Sequence, residues 1–117
     1  MPAPARLGAG LRDQRVTVER LTETPDGGGG VSRAWTVLGS LWVAAKWVGG
    51  SEQPARGAVR EVVRYRFTAD AGSAEALGIT AADRIIWRGE PYNIRERPRR
   101  QATTRDLDIY AESGVTQ

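Results

Sequence analysis

Chemistry at a protein site needs groups that move protons, hold metals or attack electrophiles, and this chain carries few of them. It has no histidine and no cysteine. That removes the commonest general base and metal ligand, every Ser-His-Asp arrangement, thiolate nucleophiles, disulfides and cysteine-based zinc sites. Carboxylates remain. Asp106 and Asp108 share one face of a predicted strand, with Asp83 and Glu112 elsewhere. Paired carboxylates can bind a metal or perform acid–base work, but no other residue supports catalysis, and a solvated or ion-paired face accounts for them. Gly27 to Gly30 could cradle a phosphate, yet the run lacks the Lys-Ser/Thr of a P-loop and no helix clearly follows. A strand-connecting loop fits it better. The expectation is a non-enzymatic domain with no cofactor and no metal.

The cations are more distinctive. Seventeen basic residues face fourteen acidic ones, a formal net charge of +3. That excess is small for a dedicated duplex-binding domain. Lys46 is the only lysine, so the other cations are arginines. Their planar forks suit carboxylates and phosphates alike. A GC-rich genome produces the same bias. The densest patch is Arg95, Arg97, Arg99 and Arg100, with Arg95 and Arg97 expected on one strand face. A solvated edge that discourages strand pairing, an acidic protein neighbour and DNA all remain open for it.

These residues must be positioned by one domain of 117 residues, whose 40% apolar and 26% charged composition is that of an ordinary soluble globular protein. No run of about 18 apolar residues spans a membrane. Met1 to Leu11 lacks the apolar core of a signal peptide, so a cytoplasmic chain is expected. Residues 1–13, with Pro2 and Pro4, read as a flexible arm. Gln14 to Leu21 alternates as a strand with Val16 and Val18 on one side. Thr24-Pro25-Asp26 and the glycines turn the chain. A strand follows over Val31 to Val37.

After Gly39, Leu41 to Val48 is apolar on both faces. A strand buried on both sides reads this way, and so does one with a face in an oligomer interface. Trp42 and Trp47 fall on opposite faces, making one of them a candidate for a subunit contact. Gly49-Gly50 is expected to end that strand, and Ser51 to Arg60 to form an extended loop. Glu61 to Ala69 alternates cleanly, with Val63, Tyr65, Phe67 and Ala69 against Arg64, Arg66 and Thr68. Ser73 to Leu77 is a helical turn capped by Ser73 and stopped by Gly78. Asp83 to Arg88 and Tyr92 to Arg97 form a hairpin about Gly89-Glu90-Pro91, and Pro98 to Gln101 breaks it. Arg105 to Glu112 is the last strand, ending a domain of residues 14–112. Residues 113–117 are a frayed tail. The sum is all-β: a small antiparallel barrel or sandwich of about six strands, with a long central loop and at most one helical turn.

The order of these signals resembles the phage head–tail joining family, also termed head-closure or stopper proteins, of long-tailed phages and gene transfer agents. The likeness runs from Gly10-Leu11-Arg12 and Arg15-Val16-Thr17-Val18-Glu19-Arg20 through Asp26-Gly27-Gly28, Trp35 and Leu41-Trp42-Val43-Ala44. It continues at Gly50-Ser51-Glu52 and Arg64-Tyr65-Arg66, then at Asp83-Arg84-Ile85, Gly89 and Tyr92-Asn93-Ile94. It covers roughly Gly10 to Glu112. The segment Asp70 to Ala82 is longer than the pattern expects.

The resemblance implies a virion structural protein of the neck, assembled in the bacterial cytoplasm. Its copies would form a homo-oligomeric ring, sixfold favoured over twelvefold, between portal or adaptor proteins above and tail terminator or tail tube proteins below. The ring would close the DNA-filled head, let DNA pass without sequence-specific binding and offer the tail a docking face. A channel or gating loop maps onto Gly49 to Val62, with Gly49, Gly50, Glu52, Arg56, Gly57 and Arg60 as its candidate residues. Trp42, Trp47, Arg95, Arg97, Arg99 and Arg100 are candidates for subunit or adaptor contact. Two alternatives stand beside this reading. One is a stand-alone nucleic-acid-binding barrel using Arg64, Arg66 and a neighbouring Trp87. The other is a tail-terminator or tail-completion ring protein.

Overall fold

A computed structural model of the chain describes residues 12–55 and 58–113, with side chains described over 12–50 and 62–113. Seven strands and one helix follow in order: β1 (Gln14–Pro25), β2 (Val31–Ala55), β3 (Ala58–Asp70), α1 (Ala71–Leu77), β4 (Arg84–Trp87), β5 (Glu90–Ile94), β6 (Arg99–Arg100) and β7 (Asp106–Ser113). The sheet order is β3-β2-β1-β4-β5-β7-β6, and β3 also pairs with β7. The antiparallel sheet therefore closes on itself as a ring of six strands, β6 continuing the β5 edge of β7.

Closure follows from the alternation of side chains. Val16 and Val18 of β1, Leu41 and Val43 of β2, Phe67 and Ala69 of β3, Ile85 and Trp87 of β4, and Leu107, Ile109 and Ala111 of β7 all point inward and are buried. A period of two puts one residue in two on that face. Tyr65, Phe67, Trp87 and Tyr92 form an aromatic cluster in the interior, with Tyr65 and Trp87 centroids 4.9 Å apart and Phe67 edge-on to Trp87 at 5.5 Å. Such tilted and edge-on arrangements suit the ring quadrupoles.

The sequence expectation of two strands broken at Gly39 is corrected. Residues Val31 to Ala55 form one continuous strand, pairing first with β1 and then with β3. A straight strand of that length would measure roughly 80 Å, against a longest molecular extent of 58 Å. The strand bends at two bulges. Its register with β1 steps from Val18↔Gly39 to Glu19↔Val37, leaving Leu38 unpaired. Its register with β3 steps from Trp47↔Tyr65 to Gly49↔Arg64, leaving Val48 unpaired. A bulge adds one residue and sharpens the local bend. Gly39 does not act as a breaker but sits beneath α1: a β-carbon there would lie 2.7 Å from Leu77 Cδ2, a side-chain end that would have to shift.

The extended loop expected over Ser51 to Arg60 is likewise corrected. Its backbone continues the β2–β3 ladder through Glu52↔Glu61, Gln53↔Arg60, Pro54↔Val59 and Ala55↔Ala58. The pairing outlasts Gly49-Gly50 because the bulge absorbs the irregularity. The radius of gyration is 16.3 Å, against about 13 Å for a compact chain of this length. The difference reflects two ribbons that run beyond the ring, β1–β2 (residues 19–37) and β2–β3 (residues 49–55 with 58–63).

Local chemistry sets the remaining ends. Asp26 accepts from the Gly28 and Gly30 amides at 2.8 and 3.1 Å, fixing the turn between β1 and β2, where Gly27 and Gly29 adopt positive φ. The cap of α1 is Asp70, not Ser73: its carboxylate accepts from the Ser73 amide at 3.0 Å, while Gly78 in the left-handed region ends the helix as expected. The β4–β5 turn is Arg88-Gly89, both at positive φ, with Trp87↔Glu90 already paired. The segment Pro98 to Gln101, expected to be a break, holds the short strand β6 against Asp108 and Leu107.

Candidate assembly surfaces

Two ion pairs with buried carboxylates anchor the ring and its first ribbon. Asp83 is fully buried and accepts from Arg20 Nε and Nη2 at 2.9 and 3.0 Å and from the Thr80 amide at 2.8 Å. Arg20 also donates to the Gly78 carbonyl at 2.8 Å. Hydrogen bonding to Asp83 raises the Arg20 pKa above its ordinary value. Asp106, also buried, is bound by Arg12. These two carboxylates are therefore ion-paired and internal. Asp108 accepts from Thr68 and Gln101 at 2.8 and 3.0 Å. Among the described residues no His, Cys, Asp or Glu cluster could hold a metal, and no helix is long and apolar enough to cross a membrane.

The β1–β2 ribbon is two-faced. After the Leu38 bulge, Leu21 sits opposite Trp35, Glu23 opposite Arg33 and Pro25 opposite Val31 on one face. Arg20 opposite Thr36 and Thr22 opposite Ala34 lie on the other. The Thr22 and Thr36 hydroxyls hydrogen-bond at 3.1 Å, marking the second face as polar. On the first, Val31 is 55% exposed, Val37 59% and Leu21 40%. The charge pair along it, Arg33 Nε to Glu23, is neutralised at 2.7 Å. At the ribbon root, Arg84 binds Glu19 at 2.8 Å and lies over the Trp35 ring.

Both candidate tryptophans of β2 are exposed, Trp42 at 53% and Trp47 at 61%. Leu41 and Val43 are buried between ladders, so the run is not buried on both sides. Trp42 faces outward and lies beneath the Arg15 guanidinium, 5.2 Å from its ring centroid. Trp47 shares the inward face with Leu41 and Val43 but stands past the end of the core, opposite Tyr65 at the root of the second ribbon. Of the gating-loop candidates, Gly49 and Gly50 lie at that root, lining a groove with Val62 and Arg64. The backbones of Glu52 and Arg60 are laddered, and Arg56 and Gly57 lie outside the described residues.

The arginine cluster is not one strand face, because β5 ends at Ile94. Its members disperse: Arg95 binds Glu112 at 3.2 Å, Arg99 binds Glu96 at 2.9 Å and Arg100 meets Glu75 at 3.6 Å. Arg97 is exposed and lines a shallow groove with Pro98, Ile79 and Leu107. The grouping of Arg64 and Arg66 with Trp87 as a nucleic-acid face also fails. Trp87 is buried among the core aromatics, whereas the two arginines alternate to the outside.

Sequence reasoning did not find the ribbon face. Its residues, Leu21, Val31, Trp35 and Val37, read as ordinary strand, and the bulge that turns them outward has no local sequence signature.

Comparison with known proteins follows the same lines. A family model described as phage head completion protein matches residues 7–114. One similar solved chain is from the virion of a native gene transfer agent particle, at 19% identity and a TM-score of 0.72, covering 90% of this chain and 96% of that one. Another is the solution structure of protein SF1141 from Shigella flexneri 2a, at 22% identity and a TM-score of 0.65, covering 89% and 94%. No curated protein sequence matches significantly. The two structures share the fold.

Proposed function

The chain belongs to the phage head completion protein family, a family of virion structural proteins, and from that footing we propose that it forms a ring in the particle neck. The ring sits between portal or adaptor and tail, closes the DNA-filled head and gives the tail its docking face. The observation that carries this reading is the β1–β2 ribbon, whose apolar face, past the root where Arg84 lies over Trp35, leaves Leu21, Val31 and Val37 exposed among the described residues. A two-stranded ribbon is marginal alone, and an exposed apolar face of this kind is covered in assemblies. Its occupant is a second copy of this chain, since a ring presents every subunit's ribbon to the next. The similar chain in the gene transfer agent virion supports a particle role.

The β2–β3 ribbon is assigned to the channel. Its paired backbone makes it a projecting strand pair that can pivot at the Val48 bulge beside Gly49 and Gly50. Trp42, Trp47 and Arg97 are assigned to contacts with neighbours. Arg95, Arg99 and Arg100 enter such contacts only by exchanging their present carboxylate partners.

The test is a particle preparation lacking this chain, imaged and assayed for packaged DNA. The reading requires heads that package and then lose DNA and carry no tails. Heads that keep their genome and join tails without the chain contradict it.

A further inference from the structure

The outer face of β2, β3 and β7 carries an arrangement that folding alone does not favour. Lys46 on β2 stands directly opposite Arg66 on β3, and Arg66 in turn opposite Tyr110 on β7. Like charges directly across a ladder destabilise a sheet. Neither cation makes an ion pair with a described residue, and the buried Nε of Arg66 has no acceptor among the described residues. The nearby carboxylates are already engaged. Glu112 is shared by Arg64 and Arg95, each at 3.2 Å, and Glu96 is held by Arg99 at 2.9 Å. A groove of about 280 Å³, lined by Arg64, Arg95, Glu96, Tyr110, Ala111 and Glu112, adjoins this face at Tyr110 without including Lys46 or Arg66.

We infer that this face, centred on Lys46, Arg66 and Tyr110, is a docking site for an acidic segment of another protein, taken up through its Asp or Glu side chains. A carboxylate placed between Lys46 and Arg66 removes their repulsion and can accept from the outer nitrogens of the Arg66 guanidinium. Arginine forks match carboxylates in a bidentate way. Duplex DNA fits less well. Its affinity grows with the number of phosphates neutralised, and among the described residues of this face Lys46 and Arg66 alone are unengaged, which suits one or two carboxylates rather than a phosphate track.

The inference extends the neck reading by naming the chemistry of one neighbour. It is tested on the isolated full chain, so its failure leaves the ring in place, and the ring's failure leaves it standing. The probe is fluorescein-labelled octaglutamate, titrated in parallel with labelled duplex DNA of equal charge at moderate ionic strength. The expected result is saturable octaglutamate binding, weakened at least tenfold by Lys46→Gln with Arg66→Gln. Arg88→Gln with Arg105→Gln, which removes the same charge elsewhere, should leave it unchanged. Lys46→Gln alone should raise the thermal midpoint. No octaglutamate binding, equal loss in the Arg88/Arg105 variant, tighter binding of the duplex, or a lowered midpoint in Lys46→Gln would each overturn the inference.

Discussion

The Arg84 guanidinium lies 3.9 Å from the centroid of the Trp35 ring, joining β4 of the closed ring to the exposed β1–β2 ribbon. The same side chain binds Glu19, and both members of that ion pair are less than one-fifth exposed. The ribbon is thus held at its root by a cation–π contact and a half-buried ion pair. In the proposed ring it would meet a neighbouring copy already ordered, which would lower the entropy lost on docking.

If that contact orders the ribbon, Arg84→Ala should cost about 1–2 kcal/mol in urea unfolding. Amide exchange at Trp35 and Thr36 should accelerate more than exchange at Ile109. Adding Trp35→Ala to Arg84→Ala should then cost less than Trp35→Ala in the parent. Independent, additive losses would show that the stack does not couple ring to ribbon.

The close approach of Leu77 to Gly39 makes a second prediction. Gly39→Ala should destabilise by about 1 kcal/mol or less, because the overpacked atoms are the terminal methyls of the half-exposed Leu77, which can move aside. In a Leu77→Ala background the same change should cost nothing measurable, because the atoms it meets are gone. A double-mutant cycle by chemical denaturation reads the difference.

Asp70 links stability to pH. The Ser73 amide, before any other influence, lowers its pKa below the ordinary carboxylate value. A group depressed in the folded state stabilises above its unfolded pKa and loses that contribution as pH falls through the folded one. Asp70→Ala should therefore cost about 1 kcal/mol at neutral pH, the usual worth of such a cap. The gap between parent and variant should begin to close below about pH 4 and vanish in stronger acid. Urea midpoints measured at several pH values test this. A gap that widens in acid has the wrong sign.

Much of the ring was legible in the sequence, and the reasons are local. Val16 and Val18, Ile85 and Trp87, and Leu107, Ile109 and Ala111 alternate, and alternation alone assigns a buried face. The ends of strands were less legible. Gly39 and Gly49-Gly50 look like stops, yet one stands where α1 packs close and the others beside a bulge, and both features depend on distant chain. The same holds for the carboxylates. Asp83 and Asp106 find Arg20 and Arg12 across 63 and 94 residues of sequence, so their burial is invisible in any short window. For the candidate surface, Trp42 and Trp47 were identified by type. Leu21, Val31 and Val37 were not, because a one-residue bulge decides whether such residues line the core or face solvent.

The central claim is that the apolar face of the β1–β2 ribbon is covered in the particle by a neighbouring copy. Its most direct test is a particle assembled with Leu21→Lys and Val37→Glu together. Both sites are exposed, so the isolated variant should unfold within about 1 kcal/mol of the parent. The account predicts heads that lose their DNA and lack tails despite that intact fold. Particles that retain the genome and carry tails would contradict it.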